Sequence, residues 1–403
     1  MAMDENTPKG ASVVIVGGGV TGLSAGWWLA EAGIDVLVID KGIVGWEASG
    51  RNGGSTAHPF SPLFAEEQKL WPEMDERLGY PTEYRPYRAR IALTDAQMAH
   101  YLRIIKLAEA QGCRWDALDR KQMKELAPLV GDDAIGGVFL WYGGHANPQR
   151  SVQAFAWALQ DRGGRILQHT TVRGIETSGG RACAVLTDRG RIACDHLVLA
   201  CGPQSGTLAT MVGAYLPVAP ARVEMLVTEP VPLMRHGGID GNGLYGRQTL
   251  RGNLAYGGGP HEWLDLDGSG DPTVVPPRSA TWVSRSLARR LADLFPGAAQ
   301  ARVIRTWAGI VENTPDGRPV LSRLSDPGNV TVASMSSVGF GLCPASGKAV
   351  AELVQFGQCR FADIGALGID RFRNLPRDWR DRMGWQATAP QPALDAAASP
   401  STT

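Results

Sequence analysis

Gly17-Gly18-Gly19-Val20-Thr21-Gly22 sets glycines at the first, third and sixth positions of G-x-G-x-x-G, and an acid, Asp40, closes the apolar run that follows. Residues of this kind do chemistry through the backbone. Gly17 allows a tight turn, Gly19 lets the chain approach a pyrophosphate, and Gly22 permits close helix–strand packing. A helix opening there presents aligned N–H donors, and the Asp40 carboxylate is placed to accept two ribose hydroxyls. The spacing points to a bound dinucleotide. Two further groups need a ligand to explain them. Ser49-Gly50-Arg51-Asn52-Gly53-Gly54-Ser55-Thr56-Ala57-His58 is too glycine-rich for a stable helix or strand, yet carries an arginine, an asparagine and a histidine. Ser337–Gly347, SVGFGLCPASG, is a second glycine-rich turn before a helix, more than 300 residues after the first.

The elements around these groups fit the same assignment. SVVIV, the glycine turn, LSAGWWLAEAG and DVLVID read strand, turn, helix, strand, with both strands as continuous apolar runs suited to a parallel sheet buried on both faces. Helical patterns recur at 95–111 and 148–162, and ALDRKQMKELAPLV reads as a short helix ended by Pro128. RILQHTTVRGIET leads to a hairpin, RACAVLTDRGRIAC, turning at Asp188-Arg189-Gly190, and then to a separate apolar strand, HLVLACG. Strands dominate 217–258, a helix is expected near 281–294, and the strand NVTVAS runs into the second glycine turn and the helix KAVAELVQF. The fold class is therefore α/β. Features of a nucleotide domain lie at both ends of the chain, with β-rich material inserted between them.

Bulk properties narrow the partners. The 403 residues carry 40 Lys+Arg against 40 Asp+Glu, so no basic surface is offered to nucleic acid. No apolar run reaches the roughly 20 residues of a membrane span, and the polar start MAMDENTPKGAS lacks a secretory pattern. Six scattered cysteines without a Cys-x-x-Cys pair read as reduced cytoplasmic thiols, with no zinc site or other metal site, although Cys183 and Cys194 face each other across the expected hairpin. The end of the chain, 386–403, is Ala/Pro/Ser/Thr-rich and expected to be disordered.

Spacing and composition alone give an FAD or NAD protein. Gly26 and Gly33 extend the fingerprint towards FAD, and the second glycine turn suits a helix dipole set against the N1–C2=O edge of a reduced flavin. With residues 13–58, LVLACGPQS at 197–205 and the 305–350 segment (Arg305-Thr306-Trp307-Ala308-Gly309, then Thr314-Pro315-Asp316-Gly317-Arg318-Pro319), the sequence resembles the D-amino-acid oxidase-like family of FAD-dependent amine oxidoreductases. Ser49–Gly54 is especially similar to the putrescine-pathway oxidases of that family.

The resemblance implies a Rossmann-like FAD-binding domain at 1–85, 145–215 and 315–365, with an inserted β-rich substrate domain at 86–144 and 216–314, and a C-terminal helix region at 366–385. It implies cofactor contact by Gly17, Gly19, Val20, Gly22, Asp40, Lys41, Ser49, Arg51, Asn52, Gly53, Gly54, Val172, Gly202, Gly309, Gly339, Phe340 and Gly341. His58 falls in a segment, Gly54–His58, similar to one whose histidine is bonded to the flavin 8α carbon in dimethylglycine dehydrogenase-type proteins; the reading adopted is a nearby, untethered ring.

His145 and Asn147 precede a helix, with Asn147 as its cap, and Cys343 reads as a small buried residue. Substrate candidates are Arg222, Tyr245, Arg247 and Tyr256; alternation puts Tyr245 and Arg247 on one strand face, where they suit a carboxylate and a hydrogen bond from an apolar wall. The implied reaction passes hydride from the carbon beside an uncharged amine to flavin N5, and the resulting imine hydrolyses. Oxygen or an electron-accepting partner protein would reoxidise the cofactor. A catalytic subunit of a heteromeric dehydrogenase, and a flavin-bound scaffold without turnover, are the alternatives.

Overall fold

Parallel strands form where the longest apolar runs lie. The computed structural model describes residues 7–110, 112–259, 261–264 and 278–379, so the 386–403 tail lies outside the described residues. Gly10–Val16 pairs in parallel with Val36–Ile39 on one side (Val13 opposite Val36) and with Gly190–Leu199 on the other (Val13 opposite His196). Every residue of Val36–Ile39 is buried, as a central strand covered on both faces requires. The eight-stranded sheet continues outward to Val330–Ser334 and Val320–Arg323 on one side and Arg165–Leu167 on the other, and Val172–Ser178 and Arg181–Thr187 attach beside Gly190–Leu199. Helices Val20–Glu31, Pro148–Asp161 and Gly339–Phe356 share a core with one face of this sheet through Leu23, Trp27, Phe155, Leu159, Leu342 and Val350.

RIAC and HLVLACG, expected as separate strands, are one strand, Gly190–Leu199. Asp195, the one residue between them, is exposed, and His196 hydrogen-bonds Thr331 Oγ1 at 3.0 Å, so pairing continues. The first half of this strand forms the expected antiparallel hairpin (Ala184 opposite Ala193), and the second runs parallel to Val330–Ser334.

His196 makes acid stability testable. Burial, aided by the Arg323 and Arg181 charges, lowers its pKa from 6.5 to about 4, so the fold holds it neutral. Its contribution is complete above pH 6.5 and is lost as pH falls towards 4, by about 3 kcal/mol at most. His196→Gln is expected to flatten part of the drop in melting temperature between pH 7 and pH 4.5; an unchanged slope would contradict this assignment.

Two smaller sheets form the β-rich part. Ala219–Pro230 pairs antiparallel with Val303–Asn313 and with Asn253–Gly257, which forms a hairpin with Tyr245–Gln248. The other sheet orders Ile239–Gly241, Arg85–Ala92, Gly136–His145 and Trp115–Asp119. Helix Thr281–Leu294 closes their common core with Val283, Leu287, Leu291 and Leu294, spaced to share one helical face. Helices Asp95–Glu109, Arg120–Leu126 and Pro148–Asp161 lie where their patterns place them, the last capped by the Asn147 side chain accepting from Gln149 and Arg150 N–H. Beyond 365, where a helix region was expected, the described residues form the 3-10 turns Gly365–Leu367 and Ile369–Phe372. All six cysteines are free, and among the described residues no helix is long and apolar enough to cross a membrane.

Candidate active site

The first turn is built tightly enough that only glycine fits. Gly17 has φ +115°, and a Cβ there would collide with the Ala200 carbonyl oxygen of the neighbouring strand. A Cβ at Gly22 would collide with the Gly17 carbonyl oxygen, so the helix starts in contact with the turn. The Asp40 carboxylate accepts Gly18 N–H and Gly42 N–H, each at 2.7 Å, which pins the second strand's end beside the turn. Burial raises the Asp40 pKa, against the lowering effect of those two donors and of Lys41. Ser49 Oγ accepts the Val20 N–H at 3.0 Å, bringing the second segment to the helix N-terminus. Gly202 opens a short turn after the Gly190–Leu199 strand, and Val172 begins the strand that pairs with Thr187.

That segment, expected as a loop, begins as a helical turn, Ala48–Arg51. Side chains hold it there despite its glycines. Arg51 donates to Trp46 O at 2.5 Å and Ala308 O at 2.8 Å with its guanidinium over the Trp46 ring, and Trp307 Nε1 donates to Arg51 O at 2.9 Å. Asn52 Nδ2 donates to Ala48 O and Ser49 O, while its Oδ1 accepts Gly54 N–H at 2.8 Å. Arg51 and Asn52 thus clip the segment to itself and to the Val303–Asn313 strand, where Gly309 faces Arg51 at 3.3 Å from the position of a Cβ. Beyond it, Gly53 lies against the Tyr245 ring and Gly54 against Arg247 Nη1, which donates to Gly53 O at 3.1 Å. The structure therefore brings Tyr245 and Arg247 together on one side of this segment.

His58 ends the segment at the start of the last long helix. Its Nδ1 is 2.7 Å from Glu67 Oε1, its backbone N–H donates to Glu67 Oε2 at 3.1 Å, and its ring lies where a Gly341 Cβ would be. SVGFGLCPASG, expected as a turn, is mostly helix: Gly339–Phe356 starts after its N-cap Val338, which follows Ser336 and Ser337 at φ 48° and 69°. Its glycines serve close packing, since Cβ atoms at Gly341 and Gly347 would meet His58 and Ser24. Phe340 packs its ring 5.6 Å from Trp71, and Gly339 sits on Met335. Cys343 is buried, which pushes its thiol pKa well up, and its carbonyl accepts from Ser24 Oγ at 2.8 Å, as suits a packing residue.

Several residues that position this end carry no motif. Glu312, whose pKa burial raises, accepts Met335 N–H at 2.8 Å, and Ser336 Oγ accepts Thr314 N–H. Asn313 is fully buried and its Nδ2 has no partner among the described residues, although Ser337 Oγ donates to its Oδ1 at 2.8 Å. The polar run Glu312-Asn313-Thr314 at the end of an apolar strand was the available signal for them. Glu67 had none beyond its place in the helix Phe64–Leu70. Two substrate candidates are engaged elsewhere: Arg222 is paired with Glu262, and Tyr256 donates to Ile239 O at 2.7 Å inside the core.

This donor set fits FAD. The glycine turn beside Asp40 would suit an ADP half, and the Asn313 Nδ2, buried without a partner among the described residues, would suit an acceptor such as a flavin carbonyl. Comparisons agree. The sarcosine oxidase beta chain of Rhodobacter capsulatus is 28% identical over 380 residues, covering 91% of this chain and 89% of its own. Gamma-glutamylputrescine oxidoreductase of Escherichia coli is 26% identical, covering 90% of this chain and 86% of its own. The glycine oxidase structure from Geobacillus kaustophilus superposes with TM-score 0.81 at 25% identity, covering 90% of this chain and 98% of its own. The FAD dependent oxidoreductase model, DAO, matches residues 12–353, and the chain belongs to that family, with FAD as its cofactor.

Proposed function

We propose that the chain oxidises the C–N bond of a small amine or amino acid in the cytoplasm. The observation that carries this reading is the placement of Tyr245 and Arg247, from the β-rich part, against Gly53-Gly54 of the segment that starts at the nucleotide turn. Gly17, Gly19, Val20, Gly22, Asp40, Lys41, Val172 and Gly202 would hold the ADP half. Ser49, Arg51, Asn52, Gly53, Gly54, Gly309, Gly339, Phe340 and Gly341 would frame the ring system, with His58 beside it and not bonded to it. With these roles we pair the division expected from the sequence: 1–85, 145–215 and 315–365 for the cofactor, 86–144 and 216–314 for the substrate. FAD supplies the acceptor for the hydride lost from carbon, and water hydrolyses the imine that leaves. The chain's own residues orient the amine, exclude water and set the local charge.

A second reading is a catalytic subunit that passes electrons to a partner chain. It is favoured by relatives that are themselves named as single subunits of larger oxidases, of sarcosine oxidase in Rhodobacter capsulatus and of opine oxidase in Rhizobium meliloti. The test is spectroscopic. Purified protein should be yellow, and some amine should bleach it anaerobically. Air should restore the colour of an oxidase, whereas a dehydrogenase should stay pale. Acid precipitation should release the flavin; flavin remaining in the pellet, and released in His58→Ala, would show a tether at His58. A colourless protein that takes up no FAD would refute the reading.

A further inference from the structure

Cys183 and Cys194 lie in strands, whereas Cys113, Cys201, Cys343 and Cys359 do not. The hairpin sets the first two opposite each other. Arg181–Thr187 and Gly190–Leu199 pair antiparallel with Val185 opposite Ile192 and Ala184 opposite Ala193, so the next residues to meet are Cys183 and Cys194. Alternation keeps both on the face that carries Val185 and Ile192, and Val185, Ile192 and Cys194 share one apolar core. Just past the pair, Asn329 Nδ2 donates to Ala182 O and Asp195 O, each at 2.7 Å, and ties the two strands together. Residues directly opposite in an antiparallel ladder have Cα atoms about 4.5 or 5.5 Å apart. A disulfide takes about 4.4–6.8 Å, so a bond here is within reach of side-chain rotation.

The two thiols have different surroundings. Cys183 is half-buried, and its Sγ donates to Glu176 O at 3.4 Å. Arg191 pairs with the Glu176 carboxylate at 2.7 Å; its charge is stabilised first by Glu176 and also by Cys183, so a guanidinium stands beside this sulfur. Cys194 is only 7% exposed, and burial, with Cys183 and Asp195, pushes its thiol pKa up to about 11. An accessible sulfur next to a cation, backed by a buried second thiol, is the arrangement of an attacking and a resolving cysteine.

We propose that Cys183 and Cys194 form a reversible disulfide, made by hydrogen peroxide, that staples this hairpin. The Cys183 thiolate attacks one peroxide oxygen, the O–O bond breaks, and hydroxide leaves a sulfenic acid on Cys183. The Cys194 sulfur then displaces the sulfenic oxygen, which departs as water with the Cys194 proton. Two electrons pass from the two sulfurs to peroxide, and both thiol protons end in water. Exchange with an external dithiol restores the pair. The bond ties Arg181–Thr187 to the strand that also pairs with Gly10–Val16, next to the nucleotide turn. The device goes beyond the amine-oxidising reading and needs no turnover.

The test treats the FAD-loaded protein with equimolar hydrogen peroxide, then maps its peptides and follows melting. The thiol count is expected to fall from six to four, with one peptide pair joined through Cys183 and Cys194. Melting temperature should rise by about 2–4 °C, and dithiothreitol should reverse both changes. Cys194→Ser should stop at the sulfenic acid, trapped on Cys183 by dimedone. Because Cys194 is buried, Cys183→Ser, at a half-buried position, is the deciding variant: it should form no link and show no rise. Absence of the link in the unaltered protein, or sulfinic acid at Cys183 in its place, would overturn the proposal. A link that leaves melting unchanged would overturn the stapling.

Discussion

Gly17→Ala is expected to purify without yellow colour. The glycine has φ +115°, where a side chain is strained, and the added Cβ would press into the Ala200 carbonyl with Cys201 Cα only 3.2 Å away. Both obstacles are backbone just past the end of the adjacent parallel strand, so relief requires moving the turn. That movement breaks up the turn held by the Gly18 N–H to Asp40 and Val20 N–H to Ser49 Oγ bonds and displaces the helix N-terminus that we propose faces the phosphates. We expect a loss of about 3 kcal/mol in stability from strain and collision and FAD affinity at least about 100-fold weaker. Gly33→Ala is the control: Gly33 also has positive φ, at 76°, but nothing lies within 4 Å of its Cβ position. It should cost about 1 kcal/mol and stay yellow. Flavin-to-protein absorbance and melting temperature measure both; a yellow Gly17→Ala with unchanged melting would refute the account.

Glu67→Ala should be the most damaging change outside any motif. Its side chain is fully buried and holds His58 twice, through the ring Nδ1 at 2.7 Å and the backbone N–H at 3.1 Å. Truncation leaves both groups without a partner, and a loss of about 3 kcal/mol in unfolding free energy follows from breaking a buried polar pair. Glu67→Gln keeps one oxygen and an isosteric shape and should lose about 1 kcal/mol. Urea unfolding separates the two, and equal losses would show that packing, not pairing, sets the effect. The neighbouring Glu66, bonded to Lys348 at 2.6 Å, is untouched by either change.

The sequence made some of this legible and hid the rest for physical reasons. Gly17–Gly22 with its flanking strands could be read because turn, helix and acid are all local and each requires the others. Tyr245 and Arg247 could be paired because alternation along a strand is strict. Glycine at 339–347 was ambiguous: it marks turns and also close helix contacts, and only the positions of His58 and Ser24 show that packing is the reason. The break at Asp195 failed similarly, since its tolerance depends on an exposed flank and on Thr331 across the sheet. Glu67 was invisible, and Glu312 showed only as part of a polar run, because what matters about each is its partner, an imidazole or a backbone N–H, and sequence does not show who that partner is.

The first helix, Val20–Glu31, is packed by the last, Gly339–Phe356: Ser24 Oγ donates to Cys343 O at 2.8 Å and Trp28 Nε1 to Pro344 O at 2.9 Å. In a nascent chain leaving the ribosome the fingerprint emerges first, and the wall that closes over it follows only more than 300 residues later. Closure of the site therefore waits on that distant helix, and a ribosome that stalls before residue 339 releases a chain with a nucleotide turn and no completed site.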